Sequence, residues 1–91
     1  MQYRTEKTLQ LRKVLGKKIK ELRNELTGLS GNMLANSYDI GNGNLSRIEN
    51  GIVDCKFITV WKIAEALGIK FSDFAKLLED ELGEDFKLID Q

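Results

Sequence analysis

At 91 residues, the sequence suits one small domain and leaves little room for a deep catalytic cleft. It has no histidine and one cysteine, Cys55, so it lacks both a histidine-activated nucleophile and the His and Cys ligands of the usual zinc sites. Its 14 basic and 14 acidic residues cancel overall. We therefore expect a protein that is not an enzyme and that holds no metal or cofactor.

The charges are nevertheless unevenly distributed along the chain. Residues 1–30 carry eight basic residues against three acidic ones, a balance of +5, whereas residues 76–91 carry two against six, a balance of −4. A local field, more than the net charge, decides where a polyanion docks. The basic first third is therefore suited to a polyanion such as a nucleic acid.

No feature of the sequence indicates export or a membrane span. Apolar residues are spread along the chain and never form the run of about 18 that a membrane-spanning helix needs. The N-terminus lacks the apolar stretch of a signal peptide, and a lone cysteine forms no internal disulfide. We therefore expect a cytoplasmic protein.

The chain has no proline, no internal repeat and no lasting strand-like alternation, so one all-α domain is predicted over residues 1–91. The first helix is predicted from about Thr8 to Leu26, ending before Gly28. Its apolar residues recur at steps of three and four and define a core face: Leu11, Leu15, Ile19, Leu22 and Leu26. Another face holds Lys13, Lys17, Lys20 and Asn24. We expect this face to be solvated, with phosphate contact by Lys17 or Lys20 as the alternative.

Two short helices follow. The second helix is predicted over residues 31–37, with Ser30 as its N-cap, and residues 38–41 form a break in which Asp39 tolerates a turn conformation. The third helix is predicted over residues 42–49 and is stopped by Asn50 and Gly51. Its only apolar residues must point inward; they are Leu45 and Ile48.

Two further helices are predicted in the last third of the chain. The fourth runs from about Ile58 to Leu67 with an apolar stripe of Ile58, Trp61, Ala64 and Leu67, beside which lies Ile63. Trp61 is expected to fill the core or a dimer contact. The fifth helix is predicted to begin with Ser72 as its N-cap and to end before Gly83. The apolar residues from Phe74 onward exceed what so small a core can bury, which makes them a candidate dimer contact: Leu78, Leu82, Phe86, Leu88 and Ile89.

A two-turn helix, a tight turn and a second short helix make up a helix-turn-helix. The stretch GKKIKELRNELTGLSGNMLANSYDIGNGNLSRIENG, residues 16–51, resembles the Cro/CI-type (Xre-like) helix-turn-helix proteins. Four of the family's segments, G..I..LR, GLS..LA, LSRIENG and IA.ALGI, occur in order within about residues 15–78. The resemblance implies a compact, five-helix, lambda-repressor-like fold with helices 2 and 3 as the helix-turn-helix, followed by an acidic extension over residues 79–91.

The resemblance also implies which residues read DNA bases. In such proteins the start of the third helix enters the major groove of double-stranded DNA, which here places Asn42, Gly43 and Arg47 in the groove, with Asn44 and Ser46 at its edge. Arginine can form two hydrogen bonds to guanine and asparagine two to adenine, and each such pair discriminates by about 1–3 kcal/mol. The alternatives are that Arg47 is a solvated surface residue and that Asn42 or Asn44 only caps the helix.

Phosphate contacts and one structural ion pair are implied in the same way. The expected phosphate contacts are Gly31, Asn32, Ser46, Asn50 and Lys56. Arg23 and Glu49 occupy the places of a pair that joins the first helix to the third, so Glu49 is assigned to architecture. The chain also departs from the family pattern at three places: Gly31 stands where glutamine is common, Asp39 replaces a turn glycine, and residues 26–28 are one residue longer than usual.

These observations predict a sequence-specific, double-stranded DNA-binding transcriptional regulator of bacterial or phage type. We expect a repressor that acts as a homodimer on a near-palindromic operator, with the dimer contact in the C-terminal region. The alternative is an antitoxin or another protein-interaction module, whose acidic C-terminus binds a basic partner protein.

Overall fold

Helices make up nearly all of the regular structure of this chain. A computed structural model describes residues 6–89, apart from the side chain of Asn42. The helices are α1 (Glu6–Leu22), α2 (Gly31–Ser37), α3 (Asn42–Glu49), α4 (Phe57–Leu67) and α5 (Phe71–Leu82). No strand occurs within residues 6–89, so the prediction of an all-α, five-helix fold is confirmed. The basic Arg4 and the acidic Asp90 lie outside the described residues.

All five helices contribute to one core. Helix α1 packs against α3 and α5, α2 packs against α3, and α4 packs against α5. The buried apolar side chains are Ile19, Leu34, Ala35, Ile40, Leu45, Ile48, Ile63, Ala64, Ala66, Leu67 and Phe74. The Cα radius of gyration is 13.2 Å, close to the ~13 Å of a compact chain of about this size. Helix α3 is thus held by neighbours on both sides, α1 and α2.

The buried face of the first helix agrees only in part with the predicted one: Ile19 is fully buried and Leu15 and Leu22 pack against the core, as expected, but polar residues share this face. Its buried residues are Arg12, Gly16 and Ile19, continued one turn later by Arg23, whereas the predicted leucines at positions 11, 15 and 22 are only half-buried. These four residues recur at steps of four, three and four, so they form a stripe on one side of the helix. Gly16 sits where α1 meets α3, because a Cβ there would collide with the backbone carbonyl oxygens of Ile48 and Glu49.

The end of the first helix also departs from the prediction. The α-helix continues after Leu22 as a π-helical turn, Arg23–Thr27, closed by a 3.1 Å hydrogen bond from the Gly28 amide to the Arg23 carbonyl. A π turn takes one residue more than an α turn between bonded groups, so this turn accommodates one residue more than a regular helix end. The prediction that Leu26 faces the core is wrong, since its side chain is 51% exposed.

Two turns position the ends of the short helices. Ser30 caps α2 as predicted, because its hydroxyl accepts a 3.2 Å hydrogen bond from the Met33 amide. Asp39 adopts a left-handed conformation, φ 57°, in the turn between α2 and α3, which explains how aspartate can stand in place of a glycine there. The Lys62 ammonium donates a 3.4 Å hydrogen bond to the Asp39 carbonyl, so α4 contacts this turn.

Two details of the last two helices correct the sequence predictions. The N-cap of α5 is Lys70 and its first residue is Phe71, so the prediction of Ser72 as N-cap is wrong. Ile58 and Trp61 are exposed and do not join the core, whereas Ile63, Ala64, Ala66 and Leu67 do. Helix α5 ends at Leu82, before Gly83 as predicted, and it includes residues 79–82 of the acidic extension.

One acidic residue of the C-terminal region, Glu81, forms an ion pair with the first helix. The Lys18 ammonium lies 3.3 Å from both Glu81 and Glu21, which ties α1 to α5. Burial by itself lowers the pKa of Lys18, but hydrogen bonds to Glu81 and Glu21 outweigh it and leave the pKa raised. Lys18 therefore stays charged and links α1 to α5, whereas Lys13, Lys17 and Lys20 of the same helix are exposed.

Candidate nucleic-acid interface

Helix α3 divides sharply into a buried side and an exposed side. Leu45 and Ile48 are each 1% exposed and hold the helix to the core, which confirms their predicted orientation. Gly43, Asn44 and the two other predicted contact residues, Ser46 and Arg47, are exposed. Asn42 begins α3, but its side chain lies outside what the structure describes. The helix thus offers one small polar surface to a partner.

Two of the predicted base-reading residues lie side by side. A Cβ built on Gly43 would be 3.3 Å from Nη1 of Arg47, so the guanidinium lies over the glycine one turn earlier. No ion pair of Arg47 occurs among residues 6–89, and its five N–H donors remain suited to a base edge or a phosphate. This arrangement favours a close approach of the helix N-terminus to a groove, because no side chain at position 43 holds it away.

The N-terminus of α3 carries no side-chain cap. Its N-cap position is Gly41, which has no side chain that could accept a hydrogen bond from the first turn. Neither Asn42 nor Asn44 therefore occupies the N-cap position, which was the alternative to their role as base readers. The exposed first turn leaves its backbone N–H groups directed outward, where an anion or a polar base edge is favourable.

Arg23 and Glu49 form a buried bidentate ion pair between the first helix and α3. Nε of Arg23 lies 2.8 Å from Oε2 of Glu49, and Nη2 lies 2.9 Å from Oε1. Both side chains are about nine-tenths buried, and Nη1 also donates to the carbonyl of Leu29 at 2.8 Å. The hydrogen bond to Glu49 raises the pKa of Arg23 despite the opposing effect of burial. The pair fixes the C-terminal end of α3 relative to the first helix.

The structure brings some of the predicted phosphate contacts near this pair. Gly31 opens α2 beside Arg23, since a Cβ built on it would be 4.0 Å from Cζ of the guanidinium. Asn50 directly follows Glu49 as the C-cap of α3. Gly31 and Asn50 therefore flank the Arg23–Glu49 pair, and Asn32 is exposed next to Gly31. Lys56 is exposed at the N-cap of α4.

A second ion pair, which the sequence did not predict, braces the loop between α3 and α4. Nε of Arg12 lies 2.7 Å from Oδ1 of Asp54, and the Arg12 side chain is buried although Asp54 is mostly exposed. Gly51, with φ 71°, packs its backbone against Lys13, where a Cβ would lie 3.2 Å from Cα. Arg12, Gly16 and Arg23 are spaced so that they lie on one side of the first helix, and this spacing was the only sign of the buried stripe in the sequence. A search for periodic apolar residues does not find it, because none of the three is a large apolar residue.

Cys55 lies in this braced loop and is half-buried. Burial raises the pKa of its thiol from 9.0 to about 11. Because only the thiolate attacks electrophiles, we expect native Cys55 to react with iodoacetamide near pH 8 on the order of 100-fold more slowly than in urea-unfolded protein. Mass spectrometry of timed samples measures both rates, and the native rate should rise steadily as the pH approaches 11. A native rate within about tenfold of the unfolded rate contradicts the assignment.

None of the helices within residues 6–89 combines the length and the apolar content that a bilayer crossing requires. The same residues contain no group of three or more acidic or cysteine side chains arranged to hold a metal ion. The candidate site is the exposed surface of α3 together with the loops beside it.

The part of the chain that contains this surface resembles known proteins. A model of the helix-turn-helix family matches residues 19–74, from the second half of α1 into the first turn of α5. Control protein C.MunI from Mycoplasma sp is 36% identical to the chain over 66 residues, which are 72% of this chain and 89% of that protein. The residues that the family model matches include all of α2 and α3.

Proposed function

Because this chain belongs to the Cro/CI-type (Xre-like) helix-turn-helix family and is a DNA-binding transcription regulator, we propose that it is a repressor that binds a near-palindromic operator as a homodimer. Helix α3 enters the major groove of each half-site. Repression needs only the occupation of promoter DNA, which a small chain can achieve without a further activity. A relative that is named a control protein supports a regulatory role.

One observation carries the proposal: α3 is fixed by its buried side and exposes only small or hydrogen-bonding residues on the other. Leu45, Ile48 and the Arg23–Glu49 pair hold it in place. A rigid support of this kind keeps reading groups in position before DNA arrives, so little entropy is lost on binding. Arg47 is the residue suited to guanine, and Asn44 is suited to adenine at the edge of the contact.

Phosphate contacts supply the remaining affinity in this proposal. The amides of Gly31 and Asn32, together with Ser46 and Asn50, hold the backbone close to α3, and Lys56 contacts it from the loop after that helix. Such contacts fix the position of a protein on the duplex without reading its sequence. One copy covers only a few base pairs, so two copies with half-sites about 34 Å apart provide the affinity that one lacks.

The alternative function, a protein-binding module with an acidic C-terminus, receives less support from the structure. Two of the acidic residues concerned already have lysine partners: Glu81 lies 3.3 Å from Lys18, and Asp80 lies 3.6 Å from Lys76. The charge left for a basic partner protein is correspondingly smaller. Arg47 on the helix-turn-helix surface, by contrast, forms no ion pair with the described residues, so its charge stays available for DNA.

Operator binding as a function of salt tests the proposed function. Selection from a random pool of duplex DNA identifies the preferred site, and fluorescence anisotropy then gives Kd at several salt concentrations. We expect log Kd to change steeply with log salt, with a slope of about 0.9 per phosphate neutralised, and a preference of about 10³ or more over random DNA. A flat response without sequence preference contradicts the proposal and favours the protein-binding alternative.

Replacing Arg47 by alanine tests the role of the reading helix directly. We expect weaker operator binding by about 1–3 kcal/mol and relaxed preference at one or two base pairs, because a bidentate contact to guanine is lost. Unfolding by urea should be nearly unchanged, since the side chain is exposed.

Two control variants sharpen this test. Arg47→Lys keeps the charge but not the planar fork, so it should retain the salt dependence and still lose base preference. Lys76→Ala removes an exposed charge on α5 and should leave operator binding unchanged. Equal losses for Lys76→Ala and Arg47→Ala, or a large loss of stability in Arg47→Ala, would overturn the assignment of Arg47 as a base reader.

A further inference from the structure

The loop between α3 and α4, residues 51–56, is held by two kinds of contact. Exposed and partly buried residues alternate along most of it. The partly buried ones, Val53 and Cys55, pack against the core. Between them Asp54 is mostly exposed, and its carboxylate meets Nε of Arg12 at 2.7 Å. The loop is therefore fixed both by apolar contacts with the core and by an ion pair with α1.

The stability of the fold does not by itself explain this ion pair. The side chain of Arg12 is only 9% exposed, whereas that of Asp54 is 74% exposed. Taking an arginine out of water costs free energy, and a carboxylate that stays in water returns only part of it. An apolar side chain at position 12 would fill the same space without that cost. What the arginine adds is a directional, charge-assisted hydrogen bond, which fixes where the loop lies.

Both ends of the loop adjoin expected phosphate contacts. Asn50 directly precedes it as the C-cap of α3, and Lys56 ends it at the N-cap of α4. Lys56 is exposed, and no ion pair of this residue occurs among residues 6–89. The loop also begins on α3 itself, because the Ile52 amide donates a 2.9 Å hydrogen bond to the Arg47 carbonyl. A shift of the loop therefore moves Lys56 relative to the reading helix.

Arg12 lies outside the part of the chain that the family model matches. That match begins at residue 19, whereas Arg12 is in the second turn of α1. Its partner Asp54 lies inside the matched part. The ion pair thus connects the first half of α1, which the family model does not include, to the loop beside the DNA-reading helix.

We propose that Arg12 is a positioning residue for DNA binding: through Asp54 it holds the loop so that Lys56 meets a phosphate of the DNA backbone without first having to be ordered. The inference rests on the proposed function, in which Lys56 contacts a phosphate, and adds the residue that places it. A group already in position loses less conformational entropy when its ligand binds. Because a phosphate contact reads no sequence, Arg12 affects the affinity for all duplex DNA alike.

Asp54→Ala separates this role from a simple effect of charge. The substitution removes a carboxylate near the proposed phosphate contact, so charge alone predicts tighter DNA binding. Loss of the ion pair predicts the opposite, weaker binding to operator and to random duplex by the same factor of about two to ten, the cost of ordering one long side chain. Asp85→Ala makes the same change of charge at an exposed residue after α5 and should change Kd by less than about twofold.

A cycle of single and double variants shows whether Arg12 acts through Lys56. Fluorescence anisotropy gives Kd for Lys56→Ala, Arg12→Met and the two together, on operator and on random duplex. We expect Lys56→Ala to weaken binding about three- to tenfold in the wild-type chain and less than about twofold in Arg12→Met. Arg47→Ala is the control, since its loss of base preference should be equal in both backgrounds. Arg12→Lys can still pair with Asp54 and should keep most of the affinity.

Equal losses for Lys56→Ala in both backgrounds, or tighter binding by Asp54→Ala, overturn the inference. Circular dichroism checks that each variant is folded, and if Arg12→Met does not fold, the same cycle is measured with Asp54→Ala in its place. A wild-type chain without salt-dependent, sequence-preferring DNA binding contradicts the proposed function. Losses that simply add, in a chain that does prefer its operator, contradict only the role of Arg12.

Discussion

Glu49→Ala is expected to lower the free energy of unfolding by about 3–5 kcal/mol, the cost of leaving a buried charge without its partner. Glu49 accepts both hydrogen bonds that neutralise Arg23, at 2.8 and 2.9 Å, in a site where both side chains are about nine-tenths buried. After the substitution Arg23 keeps its bond to the Leu29 carbonyl but has no anion nearby. Domains of this size are stable by about 5–15 kcal/mol in all, so a large share is removed.

Urea unfolding followed by circular dichroism measures this loss, and two comparisons give it meaning. The double variant Arg23→Met with Glu49→Leu removes both charges and should recover much of the stability, because the desolvation cost disappears with the pair. Asp80→Ala breaks the exposed pair with Lys76 and should cost at most about 1 kcal/mol. A loss for Glu49→Ala as small as that for Asp80→Ala would show that the buried pair does not hold α3 in place.

The sequence allowed the helical elements and the inward residues of α3 to be predicted because they depend on local patterns. Spacing of apolar residues, a serine before α2 and glycines after three helices are each local signals. The predicted bounds of α2 and α3 agree with the structure, and Leu45 and Ile48 point inward as expected. Because α3 has only two apolar residues, only one side of the helix can face the core. The residues on the other side must then be exposed, which is how the exposed residues of α3 could be predicted.

Arg12 and Gly16, two residues of the α1 face that supports α3, were not predicted to be buried because neither belongs to the apolar pattern. Arg12 and Arg23 are buried through ion pairs with residues 42 and 26 positions away along the chain, and no local pattern encodes such distances. The Arg23–Glu49 pair was expected only from the family resemblance. The π-helical turn was also not predicted, and it moves Leu26 from the expected core face to solvent.

The first half of α4 shows the opposite error, in which apolar residues were assigned to a core that does not include them. Ile58 and Trp61 share a helical stripe with Ala64 and Leu67, but only the second half of α4 packs against its neighbours. Periodicity identifies a face of a helix and not the element that covers it. The first half of that stripe, Ile58 and Trp61, therefore stays exposed.

Gly16→Ala is expected to destabilise the fold by about 3 kcal/mol, the upper end of the usual range for overpacking, although alanine is the better helix former. At an open helical position the same change stabilises by roughly 0.5–1 kcal/mol. At Gly16 the added methyl group meets the carbonyl oxygens of Ile48 and Glu49, which are backbone atoms and cannot rotate away. Helix α1 must then move off α3, which also disturbs the Arg23–Glu49 pair.

Gly43→Ala is the matched control, because it makes the same change inside α3. Its methyl group meets only Nη1 of Arg47 at 3.3 Å, the free end of a flexible side chain. The fold should therefore become more stable by about 0.5–1 kcal/mol in urea unfolding. Operator binding should weaken at the same time, because the methyl group lies where the proposed base contact needs close approach. Opposite signs of stability change for the two glycines separate their roles: Gly16 is required by the crossing of α1 and α3, and Gly43 by the DNA. If Gly16→Ala is as stable as the wild type, the close packing of these helices is not what fixes the reading helix.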